Sequence, residues 1–519
     1  MSNAGLPKFL LNFVVGLGVF ALGACSPKNS PPQSWIVENV SIVDGMGTPA
    51  YAGSVRILAG KIVEVGQLTK LPSEVAVAGK GLILAPGFID THSHHDAYIE
   101  QQRDVIAATS QGITTIVIGQ DGFSNYPLSE FYQQRRERPV AVNIASYVGH
   151  NSIRGIVLGE DYRRKSTEDE LSKMEALLQK EMQAGAIGLS TGLEYDPGIY
   201  ASRREVLQLA QITAEQDGRY ISHIRSEDKF LFEAVDEIIS IGRKTGMPIQ
   251  ISHVKLAMKS LWGRAPELLE KLNAARAEGI EISADIYPYE YWASVLEVML
   301  PERNFDDRSA VKFALDELAP PEGLVLAIFA ADPSLEGKTV AAIAKERGED
   351  PIDTYLALLK QSKQWQTDNP NSDQVAESVM GRSMTSEDIV TLLNWEHTNL
   401  CTDGAHIGHP RGVGSYPRVL GKYVRNDKIM SIEEAVRKMT SLAAHHMGFS
   451  DRGKIKPGYS ADMVLFDPKT IIDRANFRDM SKLSEGVAMV WVNGKLVFQD
   501  GQATGARPGQ LITRRIITE

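Results

Sequence analysis

Three of the chain's eleven histidines and two of its aspartates fall within ten residues, GFIDTHSHHD at 87–96. The apolar run LILAP before this stretch, and FID inside it, read as a buried strand over 83–94 that ends in polar residues. Residues two apart on a strand share a face, so His92 and His94 project together and His95 points away. Two imidazoles side by side at a strand end suit a divalent cation such as zinc. The plainer alternative is a polar strand end whose histidines only meet solvent. The rest of the chain decides between the two.

The elements that must position these side chains alternate along the chain. Candidate strands lie at 83–94, 113–120, 140–149, 186–193, 219–225, 248–255, 281–289 and 397–404. Helical patterns such as EDELSKMEALLQKEMQAG and RREVLQLAQITAEQDG separate them. Alternating strands and helices imply an α/β fold with a parallel sheet, and eight such units favour a closed (β/α)8 TIM-like barrel, with an open doubly wound sheet as the alternative. In a barrel of this kind, chemistry sits at the C-terminal strand ends. There the sequence places Glu194 in LSTGLEYDPG, His223 in YISHIRSED, His253 in IQISHVKLA and Asp403 in NLCTDGAH. Polar ligands at the same end of five strands point to a bound metal.

Short β-like runs occupy both chain ends, and Asn493-Gly494 between two apolar runs signals a hairpin. The two ends, 35–84 and 456–519, are expected to form one small β-sandwich domain beside a barrel at 85–455. An inserted subdomain at about 295–390, ahead of the last strand, is expected over the barrel mouth.

The composition is 43% hydrophobic and 23% charged, with a net charge of −10, which argues against a nucleic-acid binder. Residues 1–25 differ from the rest. Lys8, a short apolar stretch and then Leu22-Gly23-Ala24-Cys25 form a signal-peptide layout, too short for a comfortable membrane span. The last four residues resemble a bacterial lipobox. That resemblance implies lipidation of Cys25 and, with Ser26 following, an outer-membrane lipoprotein facing the periplasm. Residues 26–34, SPKNSPPQS, read as a flexible tether. The only other cysteine is Cys401, which argues against a disulfide in the mature chain and excludes a cysteine-rich metal site.

The motifs APGFIDTHSHHD, GITTIVIGQDG, GAIGLSTGLEYDPGIY, YISHIRSE, ISHVK, DIYPY, TDGAHIGHPRGVGSYPRVLGKYVR and MTSLAAHHMGFSDRGKIKPGYSADMVLFD span nearly the whole mature chain. They resemble the amidohydrolase superfamily and, within it, the D-aminoacylase (N-acyl-D-amino-acid deacylase) family. The resemblance implies that His92 and His94 bind one metal, that His223 and His253 serve a second, and that Asp403 is the catalytic aspartate and approaches the metal. One or two zinc ions are the implied cofactor. A metal brings the pKa of bound water toward 7 and polarises an amide carbonyl. A carboxylate such as Asp403 can take the water's proton and return it to the leaving amine.

One departure matters. After the second strand the family has Asn-Cys-Gly, whose cysteine is a metal ligand, whereas this chain has Gln120-Asp121-Gly122. Elsewhere in the superfamily a residue of the fourth strand bridges two metals, and Glu194 stands at that place. Glu194 is therefore the expected bridge, with Asp121 as the competing candidate. Oxygen ligands also broaden the metal choice beyond zinc. The resemblance further assigns substrate binding to Tyr195, Lys255, Tyr287 and Arg411. Arg grips a carboxylate bidentately and Lys adds a point charge, so the expected handle is a free carboxylate on a small-molecule substrate. The implied reaction is metal-dependent hydrolysis of N-acyl-D-amino acids. A dipeptidase for Xaa-D-amino-acid dipeptides is the second enzyme reading. A non-catalytic periplasmic binding protein on a hydrolase fold is a third, and the presence of all four histidines and Asp403 argues against it.

Overall fold

The computed structural model describes residues 34–372, 374–405 and 407–514. Cys25, the rest of the segment expected as a signal peptide, and residues 26–33 of the expected tether lie outside the described residues. No helix among the described residues is long and apolar enough to cross a membrane.

Strands from both chain ends join in one nine-stranded sheet. The strand Ile83–Pro86 stitches the halves together. It pairs in parallel with Trp35–Ile42 on one side and antiparallel with Met463–Phe466 on the other. Hydrogen bonding therefore runs through a single sheet. The sheet nonetheless curls: Trp35 and Trp491 stand three strands apart in its order, yet their ring centroids are 6.2 Å apart. Flat strands would separate them by about 14 Å. At the far edge, Val487–Val492 and Lys495–Gln499 pair across Asn493 and Gly494, whose φ values of 46° and 72° make the tight hairpin turn.

The strand read at 83–94 is in fact two. Ile83–Pro86 belongs to the terminal sheet, and Phe88–Asp90 begins the parallel set. Gly87 is the break between them. A Cβ there would sit 2.2 Å from Thr114 Cγ2 and 2.3 Å from Thr114 Oγ1, so only glycine allows this close approach.

Eight parallel units follow: Phe88–Asp90, Ile113–Ile118, Asn143–Ser146 continued by Val148–Gly149, Gly188–Gly192, Arg219–His223, Ile249–Ile251, Ile282–Ile286 and Thr398–Leu400. Each pairs with its sequence neighbour except where Tyr147 interrupts the third. Most are buried along their whole length, as expected for parallel strands covered on both faces. The last unit returns to the first. Asp403 N–H donates to His92 O at 2.9 Å, and His94 N–H donates to Gly404 O at 3.1 Å. Asp90 reinforces the junction by accepting the Thr402 N–H at 2.8 Å and the Thr402 hydroxyl at 2.6 Å. The helices behave as their patterns predict. Glu168–Gln183 starts on a Thr167/Glu170 capping box and buries Leu171, Met174, Leu178 and Met182 at helical spacing.

Between Ile286 and Thr398 the chain builds a separate layer. Tyr291–Ser294, Glu377–Arg382 and Leu324–Phe329 form an antiparallel sheet. Helices including Val340–Arg347 and Pro351–Asp368 pack with it around a core of its own, centred on Leu296, Leu315, Phe329, Tyr355 and Leu358. Trp292, Met299, Leu300 and Phe313 from this layer wall the cavity that opens at the strand ends.

Candidate metal centre

His92 and His94, past the end of the first parallel strand, face two carboxylates. Their Nε2 atoms lie 3.4 and 3.2 Å from Asp121 Oδ2, and 3.5 and 3.4 Å from Asp403 Oδ1. On the other side of Asp121, Oδ1 lies 3.3 Å from His253 Nε2 and 3.9 Å from His223 Nδ1. The two latter nitrogens are 3.1 Å apart. The carboxylate standing between the two histidine pairs is thus that of Asp121.

These spacings test whether a metal fits. Tetrahedral ligands about 2.05 Å from zinc lie about 3.3 Å from one another. Three of the four separations around Asp121, 3.2 to 3.4 Å, lie near that value and at the long end for hydrogen bonds. Both ring nitrogens of His92 are buried without a hydrogen-bond partner within the protein, an expensive state for a group that nothing binds. Ligand atoms of His92, Asp121, His253 and Asp403 all fall within 4.8 Å of one another. The residues fit a metal. Backbone conformation adds to the case: Asp121, His253 and Asp403 have φ of 53°, 36° and 44°, a left-handed region that costs energy for non-glycine residues and clusters at functional sites.

Glu194 is elsewhere. Its Oε2 lies 3.0 Å from His223 Nε2, the ring nitrogen turned away from Asp121, and its Oε1 accepts the Glu227 N–H at 2.7 Å. The Glu194 carboxylate therefore does not stand between the two histidine pairs, where the expected bridge would. Both acids end their strands, but the Glu194 side chain meets the outer edge of the His223 ring, whereas the Asp121 carboxylate enters between the rings.

Strong fields act inside this cluster. Burial pushes the carboxyls of Asp121 and Asp403 up, but their neighbours more than reverse this: the electrostatic interaction with His92 at Asp121, and with Arg411 and His253 at Asp403, holds both well below the ordinary range. Burial works the other way on His94 and His253. The facing carboxylates overcome it, and both imidazoles are raised to about 10. Opposed charges gathered this closely are typical of metal sites.

The four expected substrate residues converge on the same cavity of about 870 Å³. The Tyr195 ring lies against His223, tilted by 51° with ring centroids 4.5 Å apart. Tyr287 is buried, with the Arg411 guanidinium 4.5 Å and the Lys255 ammonium 5.8 Å from its ring centre. Lys255 and Arg411 do not point to open solvent. Lys255 Nζ binds both oxygens of Glu227, at 2.6 and 2.7 Å, and Arg411 Nη1 lies 2.8 Å from Asp403 Oδ2. The Tyr287 hydroxyl and Arg411 Nε remain without a partner within the protein.

Reading the strand ends missed two residues. Glu227 lies in the very run YISHIRSED that supplied His223, and an acid four residues past a strand-end histidine is the signal that marks it. Asp285 on the seventh strand accepts the His253 backbone N–H at 2.5 Å and the Gln250 amide at 2.6 Å, so it fixes the turn that carries His253. Its sequence surroundings, DIYPY, hold no sign of that task.

Comparison with known proteins agrees with this geometry. A model of the amidohydrolase family matches residues 76–355 and 397–498. D-aminoacylase from Alcaligenes xylosoxydans xylosoxydans is 30% identical over 94% of this chain and 99% of its own length. N-acyl-D-glutamate deacylase from the same organism is 31% identical over 92% and 96%. The crystal structure of N-acyl-D-glutamate deacylase from Bordetella bronchiseptica, complexed with zinc and a phosphonate mimic of the tetrahedral intermediate, superposes with a TM-score of 0.82. It is 31% identical to this chain, covering 93% of it and 100% of that structure.

Proposed function

The chain belongs to the amidohydrolase family, and from that premise we propose that it hydrolyses the amide bond of N-acyl-D-amino acids, releasing a carboxylate and a free D-amino acid. The observation that carries the reading is the adjacency of the histidine–aspartate cage to a buried Arg411, Lys255 and Tyr287 within one cavity.

In this reading His92, His94, Asp121 and Asp403 hold one divalent ion, and His223, His253 and Asp121 serve a second, with zinc as the first choice by similarity to the relatives. When bound, such an ion would supply an acidified water and polarisation of an amide carbonyl. Asp403 does the proton work. Its carboxylate takes a proton from the attacking water and delivers it to the amide nitrogen as the C–N bond breaks. Arg411 keeps that carboxylate ionised and oriented. Tyr287 Oη, Arg411 Nε and Lys255 receive the substrate carboxylate, and Tyr195 covers the opposite side beside His223. With the carboxylate and the carbonyl both fixed, the side chain and hydrogen on Cα have only two arrangements, one for each enantiomer. Similarity to the relatives supports the D form.

The same proposal includes a closed eight-stranded barrel, supported by the parallel strand order and the backbone bonds from Asp403 and His94. It includes the small terminal β domain and the insertion as separate units of that barrel. It also includes export, with lipid on Cys25 and residence at the outer membrane facing the periplasm, which rests on the lipobox-like end of residues 1–25. Cys25→Ala should release the protein from membrane fractions or block its processing.

The test is a hydrolysis screen of N-acyl-D-amino acids and D-terminal dipeptides, each beside its L enantiomer. Turnover of the D-acyl substrates is expected, and it should vanish on chelation. Equal rates on both enantiomers, or full activity without metal, would refute the reading. Faster cleavage of the dipeptides would move the assignment to a dipeptidase.

A further inference from the structure

His253 presents Nε2 to Asp121 Oδ1 at 3.3 Å, on the side where His92 and Asp403 gather. To ligate an ion through Nε2, the imidazole must keep its remaining proton on Nδ1. Two groups lie against Nδ1: Glu227 Oε1 at 2.9 Å and Lys255 Nζ at 2.7 Å. They make opposite demands. A lysine ammonium has three donors and no acceptor, so a bond from Lys255 requires a bare Nδ1 and drives the ring proton onto Nε2. That would turn the ligating edge of the ring into a donor. An ionised carboxylate only accepts, so Glu227 requires Nδ1–H and leaves the Nε2 lone pair free.

Glu227 is built to win this contest. Both its oxygens also bind Lys255 Nζ, at 2.6 and 2.7 Å, so the lysine's protons have a better acceptor than the imidazole. Its own backbone N–H is tied to Glu194 Oε1 at 2.7 Å, and it is buried.

We infer that Glu227 is a positioning residue that sets the metal-ligating tautomer of His253, by accepting the Nδ1–H and by drawing the N–H protons of the adjacent Lys255 ammonium to its own oxygens. The inference rests on the metal-dependent reading of the site. Outer hydrogen-bond partners of metal ligands typically matter by tenfold to a hundredfold in affinity.

The test uses the full chain, stripped of metal by chelation and then titrated with zinc against a chromophoric chelator. Glu227→Ala should weaken zinc binding by about ten- to hundredfold. Glu227→Gln keeps an acceptor oxygen but cannot hold the lysine's charge, so it should fall between Ala and wild type. In Glu227→Ala combined with Lys255→Met, the competing ammonium is gone but the acceptor is still missing, so affinity should recover only in part. Proton–nitrogen NMR of the zinc-loaded protein, labelled at histidine, should give a hydrogen-bonded Nδ1–H for His253 that Glu227→Ala loses. Wild-type zinc affinity in either single variant, or full recovery in the double variant, would overturn the proposal. The isosteric Gln variant keeps it testable if Ala fails to fold. Zinc affinity is read without substrate, so failure here and failure of the deacylase reading are separate results.

Discussion

Arg411 Nη1 lies 2.8 Å from Asp403 Oδ2, both residues are buried, and the other Asp403 oxygen faces His92 and His94. The arginine expected to grip substrate thus also steers the carboxylate proposed to be catalytic. Arg411→Ala removes one partner of a buried pair, which typically costs about 2–5 kcal/mol. The loss should appear in kcat/KM, with Arg411→Lys recovering only part because the forked geometry is gone. Since Arg411 holds the Asp403 carboxyl low, its removal should also shift the acid limb of the pH–rate profile upward. Unchanged kcat/KM in the Ala variant would remove Arg411 from both tasks.

Asp121 stands between the histidine pairs and Glu194 outside them. Asp121→Ala should therefore lower retained metal, measured by elemental analysis after dialysis, much more than Glu194→Ala. Asp121→Cys should keep metal and shift preference toward softer ions, because a thiolate replaces a carboxylate. A greater loss in Glu194→Ala would return the bridge to Glu194.

In the metal-free protein, burial opposes charge on His94 and His253, yet the facing carboxylates raise both to about 10. Protonation of these rings adds stability that is complete below about pH 6.5 and is lost as pH rises through about 10. Zinc must expel these protons to bind. Apparent zinc affinity should therefore climb between pH 7 and 10. Calorimetry at pH 7 in buffers of different ionisation enthalpy should register net proton release. A pH-independent affinity would contradict the arrangement.

Glu377 in the inserted layer is buried, and burial raises it to about 7 although it accepts the Leu296 N–H at 2.9 Å. The folded chain therefore holds a proton there that the unfolded chain releases above about pH 4.3. Stability should fall as pH rises from about 4.3 to 7 through this group, and Glu377→Gln should flatten that slope. Parallel denaturation curves of the two proteins across this range would count against it.

Gly87 leaves no room for a Cβ beside Thr114. Gly87→Ala should cost about 1–3 kcal/mol through overpacking and displace the strand that carries His92 and His94, lowering both the melting temperature and zinc content. Thr114→Ala in the same chain should restore part of both. No rescue would place the cost in the backbone rather than in the Thr114 clash.

The sequence alone determined which residue types reach the metal centre and from which strands. Periodicity marks the parallel strands, and histidines or acids stand just past their C-terminal ends, so His92, His94, His223, His253 and Asp403 are legible one element at a time. The Asn493-Gly494 turn is legible for the same local reason, since two successive left-handed residues admit few sequences. Tertiary structure alone decided how these parts face one another. Asp121 and Glu194 are equivalent in one dimension, both acids at strand ends, and only the azimuth of each loop sends Asp121 between the rings and Glu194 behind His223. The break at Gly87 was hidden because LILAP and FID are both apolar, and only their pairing partners divide them. Lys255 and Arg411 read in sequence as cations for a substrate carboxylate, but their protein partners, Glu227 and Asp403, are reached through space: charge pairing follows distance, and distance between loops is set by how the strands beneath them are arranged.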